Sequence, residues 1–324
     1  MNYFKSLLAA LLVLLLLGCA PKIRLFPDST VPYKEYTLEG RGKEKILVLQ
    51  AEGQISETPS EGLLRDRPGM VQELASQLRK AEEDKDVRAL VLKINSPGGA
   101  VTASDVLYHE LQAYKDRTGV KMVAVLMGLA ASGGYYIALP ADRIVAHPTT
   151  ITGSVGVIFL QPKVEGLMDK IGVSVDVNKS GVNKDMGSPF RPTTAEEQKL
   201  LQDLTEGLGQ RFIDLVAARR APTPEALQTI RTARIVLAPE ALSLGLVDQI
   251  GYMTDALRTA RELAGLPDDA RVVVYRRSAY PDDTVYNTAT AEVGSRRPAL
   301  VDLGLPLVPL STGFYYLWPQ AVPR

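Results

Sequence analysis

Apolar residues in the body of this chain come in short unbroken runs, and between the runs they recur every three or four positions. Ile46-Leu47-Val48-Leu49 reads as a strand buried on both faces. Val71, Leu74 and Leu78 share one side of a helix predicted over 70–81. The same alternation gives a strand over 89–94, an amphipathic helix over 102–115 and a strand over 122–126. A small-residue stretch, 128–134, then opens a helix, and further strands are expected over 143–146 and 173–177. Beyond Thr193 the pattern turns helical. Thr193 or Thr194 caps a long helix with Glu196 and Glu197 in its first turn, running to about Arg219, and Pro222 and Pro224 break it. Shorter helices follow over 239–244 and 254–264. Strands alternating with helices predict an α/β layered domain on a mainly parallel sheet, with a helical C-terminal portion.

The two ends read differently. Residues 7–17 are an uninterrupted apolar run after Lys5, too short for a comfortable transmembrane helix and of the length of a signal-peptide core. Its ending, Leu16-Leu17-Gly18-Cys19, resembles the bacterial lipoprotein signal, in which the cysteine becomes the lipidated first residue. Cys19 is the only cysteine of the chain, which strengthens that resemblance. An ordinary cleaved signal and an uncleaved anchor are the other readings. Lipidation would place the body outside the cytoplasm on a membrane; Ala20 after the cysteine, where inner-membrane lipoproteins usually carry Asp, favours the outer membrane in a host with two. The expected organisation is a signal over 1–19, a tether over 20–44, the main domain over 45–265, and a C-terminal extension over 266–324. That extension ends in the aromatic run Phe314-Tyr315-Tyr316-Leu317-Trp318. The run either docks on its own domain, as the simplest reading has it, or meets a neighbouring subunit or a membrane surface.

Composition narrows the chemistry. Lys plus Arg and Asp plus Glu both number 37, so no net charge draws the chain to nucleic acid. One cysteine excludes an internal disulfide, and two histidines exclude a His/Cys zinc cluster. The work falls to hydroxyls, carboxylates, lysines and backbone amides, with no cofactor or metal expected. Three stretches carry candidates. Asn95-Ser96-Pro97-Gly98-Gly99 follows a strand, and its paired glycines permit positive φ and close backbone approach. In Ala130-Ala131-Ser132-Gly133-Gly134-Tyr135-Tyr136 a serine stands among small residues at a helix start, either as an N-cap or as a nucleophile with accessible amides beside it. No G-x-S-x-G elbow surrounds it. Lys179 and Lys184 lie in Lys179-Ser180-Gly181-Val182-Asn183-Lys184-Asp185. A lysine serves a serine as base when burial brings its amine toward neutrality, whereas His109 and His147 sit in surface-like settings.

Taken in order, these stretches resemble the signal peptide peptidase A (SppA) family, bacterial Ser–Lys serine proteases of the Clp-protease/crotonase fold. Thr152-Gly153-Ser154-Val155-Gly156-Val157 and Gly245-Leu246-Val247-Asp248 with Gly251 extend the match, so that it covers about 45–265. The resemblance implies Ser132 as nucleophile and Lys184 as general base and acid, with Lys179 the rival. It also implies that Ser154 orients the lysine, and that the backbone amides of Gly99 and Gly133 form the oxyanion hole. Departures lie at Val182-Asn183 and at Ala233, where relatives often have glycine.

The substrates so implied are hydrophobic unfolded peptides, above all signal peptides left in the membrane after export. The implied partners are further copies of the chain in a ring-forming homo-oligomer, and a membrane reached through the lipid anchor. A catalytically inactive binding lipoprotein with the same fold is the alternative. A crotonase-type enzyme acting on coenzyme A thioesters fits less well, since it needs no Ser–Lys pair.

Overall fold

The structure is a computed structural model that describes residues 31–61, 66–287 and 313–318. Cys19 and the expected signal lie outside the described residues. In chain order the first elements are β1 (Lys34–Glu39), β2 (Lys45–Glu52), β3 (Ser60–Glu61), β4 (Asp66–Arg67), α1 (Met70–Glu82), β5 (Val87–Ser96), β6 (Gly98–Ala100) and α2 (Val101–Thr118). Next come β7 (Lys121–Ala131), α3 (Gly133–Tyr136), β8 (Arg143–Ala146), β9 (Ile151–Gly153), β10 (Ile158–Leu160) and α4 (Glu165–Ile171). The helical portion is α5 (Ala195–Arg220), α6 (Pro224–Arg231), β11 (Ile235–Leu237), α7 (Ala238–Ser243), β12 (Gln249–Ile250) and α8 (Met253–Ala264). Two strands close the chain, β13 (Arg271–Arg276) and β14 (Gly313–Leu317).

The main sheet runs β1-β13-β2-β5-β7-β8-β12, with β9 joined to β7 and β11 to β9. From β13 to β12 all neighbouring pairs are parallel, while β1 and β11 add antiparallel edges. Its central strands are apolar on both faces because both are covered, as parallel sheets require. Leu47, Leu49, Leu90, Leu92, Met122 and Leu126 pack into one core with α1, α2 and α5. Ile46, Val48, Val91, Val123 and Val125 face a second core closed by Met253, Ala256, Leu257 and Ala260 of α8. A smaller antiparallel sheet, β10-β14-β6, stands apart from this one.

Helix ends follow the local sequence. Gly119 closes α2 and Gly265 closes α8 in left-handed conformations that favour glycine. Thr194 caps α5 in a full capping box with Glu197. The expected helix over 239–244 is α7, and that over 254–264 is α8.

Four expectations need correction. The segment read as tether contains β1, which pairs with β13 through Lys34↔Arg276 and Tyr36↔Val274. Alternating exposed and half-buried positions hid that edge strand. The main sheet does not stop at 265, because β13 inserts between β1 and β2. The small residues at 128–131 extend β7 rather than opening a helix, and helix begins only at Gly133. Finally, 173–177 forms no strand: its valines are exposed and it pairs with no described strand. Among the described residues no helix is long and apolar enough to cross a membrane.

The N-terminus of α5 is fastened by Arg191, whose guanidinium donates to Glu197 and, through Nε at 2.8 Å, to Asp185. Arg191 first, then the Thr194 amide, bring the buried Glu197 carboxyl down to about 2 from an ordinary 4.5. A depressed carboxyl stabilises the fold above its ordinary value, and that contribution fades as pH falls from 4.5 toward 2. Urea midpoints at pH 6 and pH 3 should therefore differ more for the parent than for Glu197→Gln. Thr194→Ala should lower stability by about 1 kcal/mol at neutral pH.

Candidate active site

Three loops meet at the C-terminal end of β7. The first is the turn into α3. Ser132 is buried, with φ 52° and ψ −116°, a conformation that a β-carbon disfavours and that costs about 1–3 kcal/mol. Its amide donates to the Gly153 carbonyl at 2.8 Å, and its carbonyl accepts from the amides of Tyr135 and Tyr136, both at 2.9 Å. The side chain makes no capping bond to the helix; Oγ donates instead to the Gly156 carbonyl at 3.3 Å. The N-cap reading therefore does not account for this serine. Tyr135 anchors the turn by donating to the Leu246 carbonyl at 2.6 Å, and Tyr136 by donating to Asp105 Oδ1 at 2.6 Å. Burial pushes both phenols well above their ordinary range, so they stay protonated donors.

The second loop joins β5 to β6. Asn95 Oδ1 accepts from the Leu129 amide at 3.1 Å, tying this turn to β7, and Ser96 Oγ accepts from the Gly98 amide at 3.1 Å. Gly98 has φ 96°, as the paired glycines suggested. Close approach explains the others. A β-carbon on Gly99 would fall 2.0 Å from the Ile55 carbonyl oxygen, and one on Gly133 would fall 2.5 Å from Ser104 Oγ. On Gly134 it would fall 2.5 Å from the Ser96 carbonyl oxygen. Only without those carbons can α3 press onto the β5–β6 turn, where a β-carbon on Gly98 would fall 2.7 Å from the Gly133 nitrogen.

The third loop runs from β9 toward β10. Thr152 Oγ1 donates to the Ala130 carbonyl at 2.6 Å, and the half-buried Ser154, at φ 53°, donates its amide to the Arg234 carbonyl at 2.9 Å. Ala233 has φ 55°, a conformation that a glycine would adopt without strain. A β-carbon on Gly156 would lie 2.7 Å from Ala233 Cβ. Gly153 and Gly156 thus supply both carbonyls that hold Ser132.

The lysines are not part of this cluster within one chain. Lys184 is exposed, and among the described residues no hydrogen bond joins it to Ser132 or Ser154. Lys179 donates to Asp185 Oδ1 at 2.7 Å and to the Val182 carbonyl at 2.9 Å. Arg191, then Lys179, hold the Asp185 carboxyl far below the usual carboxylate range. The rival lysine is therefore engaged, and Asp185 pins the loop beside Lys184. His109 is exposed; His147 bonds Thr149 and packs edge-on against Tyr252, away from Ser132. Among the described residues no group of His, Cys, Asp and Glu could hold a metal.

Sequence reasoning missed one participant. Strand β14, the aromatic run, lies between β6 and β10 against this site. The run does dock on its own domain, but its apolar character alone did not disclose where.

The chain matches the profile of Peptidase family S49 over residues 115–267 and that of Clp protease over 67–151. It is 35% identical to an Enterococcus faecium protein named as a signal peptide peptidase SppA, over 78% of this chain and 73% of that one. It is 38% identical to Protease 4 of Salmonella typhi, over 72% of this chain and 37% of that longer protein. Among solved structures, a ClpP1 mutant from Listeria monocytogenes aligns with TM-score 0.42 and 20% identity over 65% of this chain and 94% of that one. A layered α/β serine-type peptidase is the class these features define. The chain belongs to peptidase family S49.

The backbone at Ser132 yields a stability test. Glycine adopts φ 52° freely whereas alanine does not. Ser132→Gly should exceed Ser132→Ala in unfolding free energy by about 1 kcal/mol, read from denaturant titrations. Equal stabilities would show the turn to be unstrained.

Proposed function

We propose that this chain is a membrane-associated endopeptidase of the extracytoplasmic space that hydrolyses hydrophobic, unfolded peptides, among them signal peptides left after export. The observation that carries the reading is Ser132: a buried hydroxyl on a strained turn, unused by the helix that follows, whose next residue, Gly133, packs against the Gly98 backbone. Ser132 Oγ attacks the peptide carbonyl while Lys184 takes its proton. The Gly99 and Gly133 amides hold the oxyanion, each such donor being worth about 3 kcal/mol of transition-state stabilisation. Lys184 then protonates the leaving amine, and water releases the acyl group from Ser132. Ser154, next to the Gly153 carbonyl that positions Ser132, orients the lysine.

A lysine acts as base only as the neutral amine, a form that burial favours. Lys184 is exposed in the single chain, on a segment that also exposes Leu167, Ile171, Val173, Val175, Val177 and Val182. So many apolar side chains left exposed on one segment fit contact with another copy of the chain. Assembly into a ring would cover it and bury Lys184 against the Ser132 turn of a neighbour. Attachment through lipidated Cys19 would keep the assembly at the membrane where its peptides collect, on the outer membrane of a two-membrane host.

Ser132→Ala and Lys184→Ala should each lower kcat on an unfolded fluorogenic peptide by at least a thousandfold, and Lys179→Ala by far less. Co-assembling the two inactive chains should restore a substantial fraction of the activity, because some interfaces then pair an intact serine with an intact lysine. A mixture as inactive as its components would refute the shared site. Near-normal activity of Lys184→Ala would refute the base assignment.

A further inference from the structure

Lys184 ends a long stretch of chain that has no core of its own. Every residue from 169 to 184 is exposed, and no described strand or helix lies between Ile171 and Ala195. Exposed backbone without apolar anchors opens at little cost, so a base carried there would wander further than proton transfer tolerates. What fixes this loop is polar. The Lys184 amide donates to the Gly181 carbonyl at 3.1 Å and the Met186 amide to the Asn183 carbonyl at 3.1 Å, closing two successive turns around Lys184. Lys179 Nζ clasps them from outside, donating to the Val182 carbonyl at 2.9 Å and to Asp185 Oδ1 at 2.7 Å. These bonds shape the loop but tie it only to itself. The Val164 amide adds a bond to the Pro189 carbonyl at 2.9 Å, yet α4, which follows it, buries no residue.

The tie to the core is Arg191. Its Nε and Nη2 donate to the two oxygens of Asp185 at 2.8 and 2.9 Å, a two-pronged grip on the residue directly after Lys184. On its other side Nη1 donates to Glu197 Oε2 at 2.8 Å, and Nη2 reaches Glu197 Oε1. Glu197 is itself buried and accepts from the Thr194 amide at 2.9 Å. The same helix, α5, sends Phe212, Ile213 and Val216 into the main core. One guanidinium therefore joins a core helix to the first half-buried residue after the exposed run. Two carboxylates meet two cations there, so the junction carries no net charge, and the Asp185 carboxyl, held far below its ordinary range, stays ionised at working pH.

We propose that Arg191 is a positioning residue for the general base: by gripping Asp185 and Glu197 together it holds Lys184 at a fixed place on α5, ready for the serine of a neighbouring chain. The proposal rests on the peptidase reading, with Lys184 as base. Arg191 acts through Asp185, and lysine in its place would keep the charge while losing the planar fork that meets two carboxylates at once.

Mixed assemblies give the test a direction. In a mixture of Ser132→Ala and Lys184→Ala chains, the working sites take their lysine from the first chain and their serine from the second. Arg191→Ala on the Ser132→Ala chain should lower kcat about a hundredfold with KM unchanged. The same substitution on the Lys184→Ala chain should leave the activity of the mixture as it was. Equal losses in the two arrangements would reduce Arg191 to a structural part, and no loss in either would overturn the proposal. Arg191→Lys, which serves if Arg191→Ala does not fold, should show the same asymmetry with a smaller loss. Hydrogen exchange on the full chain supplies a readout free of catalysis. The Lys184 and Met186 amides should exchange about tenfold faster in the Arg191 variant than in the parent, with β7 unchanged; unaltered exchange at Lys184 would overturn the proposal. If the two chains do not complement although the parent cleaves peptide, the shared site falls and the uniform Arg191→Lys enzyme decides. A lower kcat at constant KM then supports the positioning role, and any other pattern overturns it. Absence of hydrolysis by the parent would reject the peptidase reading, and the exchange comparison would still decide whether Arg191 holds the loop.

Discussion

Between Leu126 and Leu129 strand β7 changes partners, and the rest of the site depends on that change. Its first half pairs with β8 through Val123↔Arg143 and Leu126↔Ala146, while its last residues pair with β9 through Leu129↔Ile151 and Ala131↔Gly153. The strand is thereby carried past the body of the sheet before it turns. Ser132 comes immediately after the final paired residue, and the strand that receives this extension ends in Gly153, whose carbonyl fixes the serine's amide. Small side chains make the extension possible. Gly133 and Gly134 let α3 close on the Asn95–Gly99 turn, since a larger residue at either would collide with Ser104 or the Ser96 carbonyl. The strained dihedrals of Ser132 are maintained by this enclosure, which leaves the turn no lower-energy conformation compatible with its hydrogen bonds.

Much of this was legible from the amino acids. Runs such as Ile46-Leu47-Val48-Leu49 and the Thr194–Glu197 capping pair act through local geometry, and they folded where their pattern predicted. The glycines at 98 and 99 announced close approach, and each meets backbone as that reading required; the same crowding at 133 and 134 was not read from the sequence. What escaped was non-local. Lys34–Glu39 shows no strong apolar period because an edge strand on half-exposed surface does not need one. The valines at 173, 175 and 177 alternate as a strand would, yet alternation alone names no partner, and they stay exposed and unpaired with any described strand. Likewise, Phe314–Leu317 carries no mark of its destination, because its pairing with Gly98–Ala100 joins residues more than two hundred positions apart.

The two lysines show how neighbours divide roles that type alone cannot. Lys179 and Lys184 share a loop, but Asp185 engages Lys179, and Arg191 links that same carboxylate to the start of α5. The loop is rigid at its acidic residue and open at Lys184. A lysine held at an exposed position beside a neighbour that is itself engaged is suited to contacts beyond its own chain, and the exposed apolar residues of its segment point the same way.

The edge strand β1 has a geometric consequence for attachment. Because ordered backbone pairing begins at Lys34, only residues 20–33 separate Cys19 from the sheet, in place of the longer stretch to 44 that composition suggested. Fully extended, that leash reaches about 50 Å at most. If Cys19 carries lipid, the body hovers within roughly one domain diameter of the bilayer, and the edge formed by β1 and β13 is the side drawn toward it. The whole particle would then have a preferred orientation imposed by a leash too short to let it tumble freely.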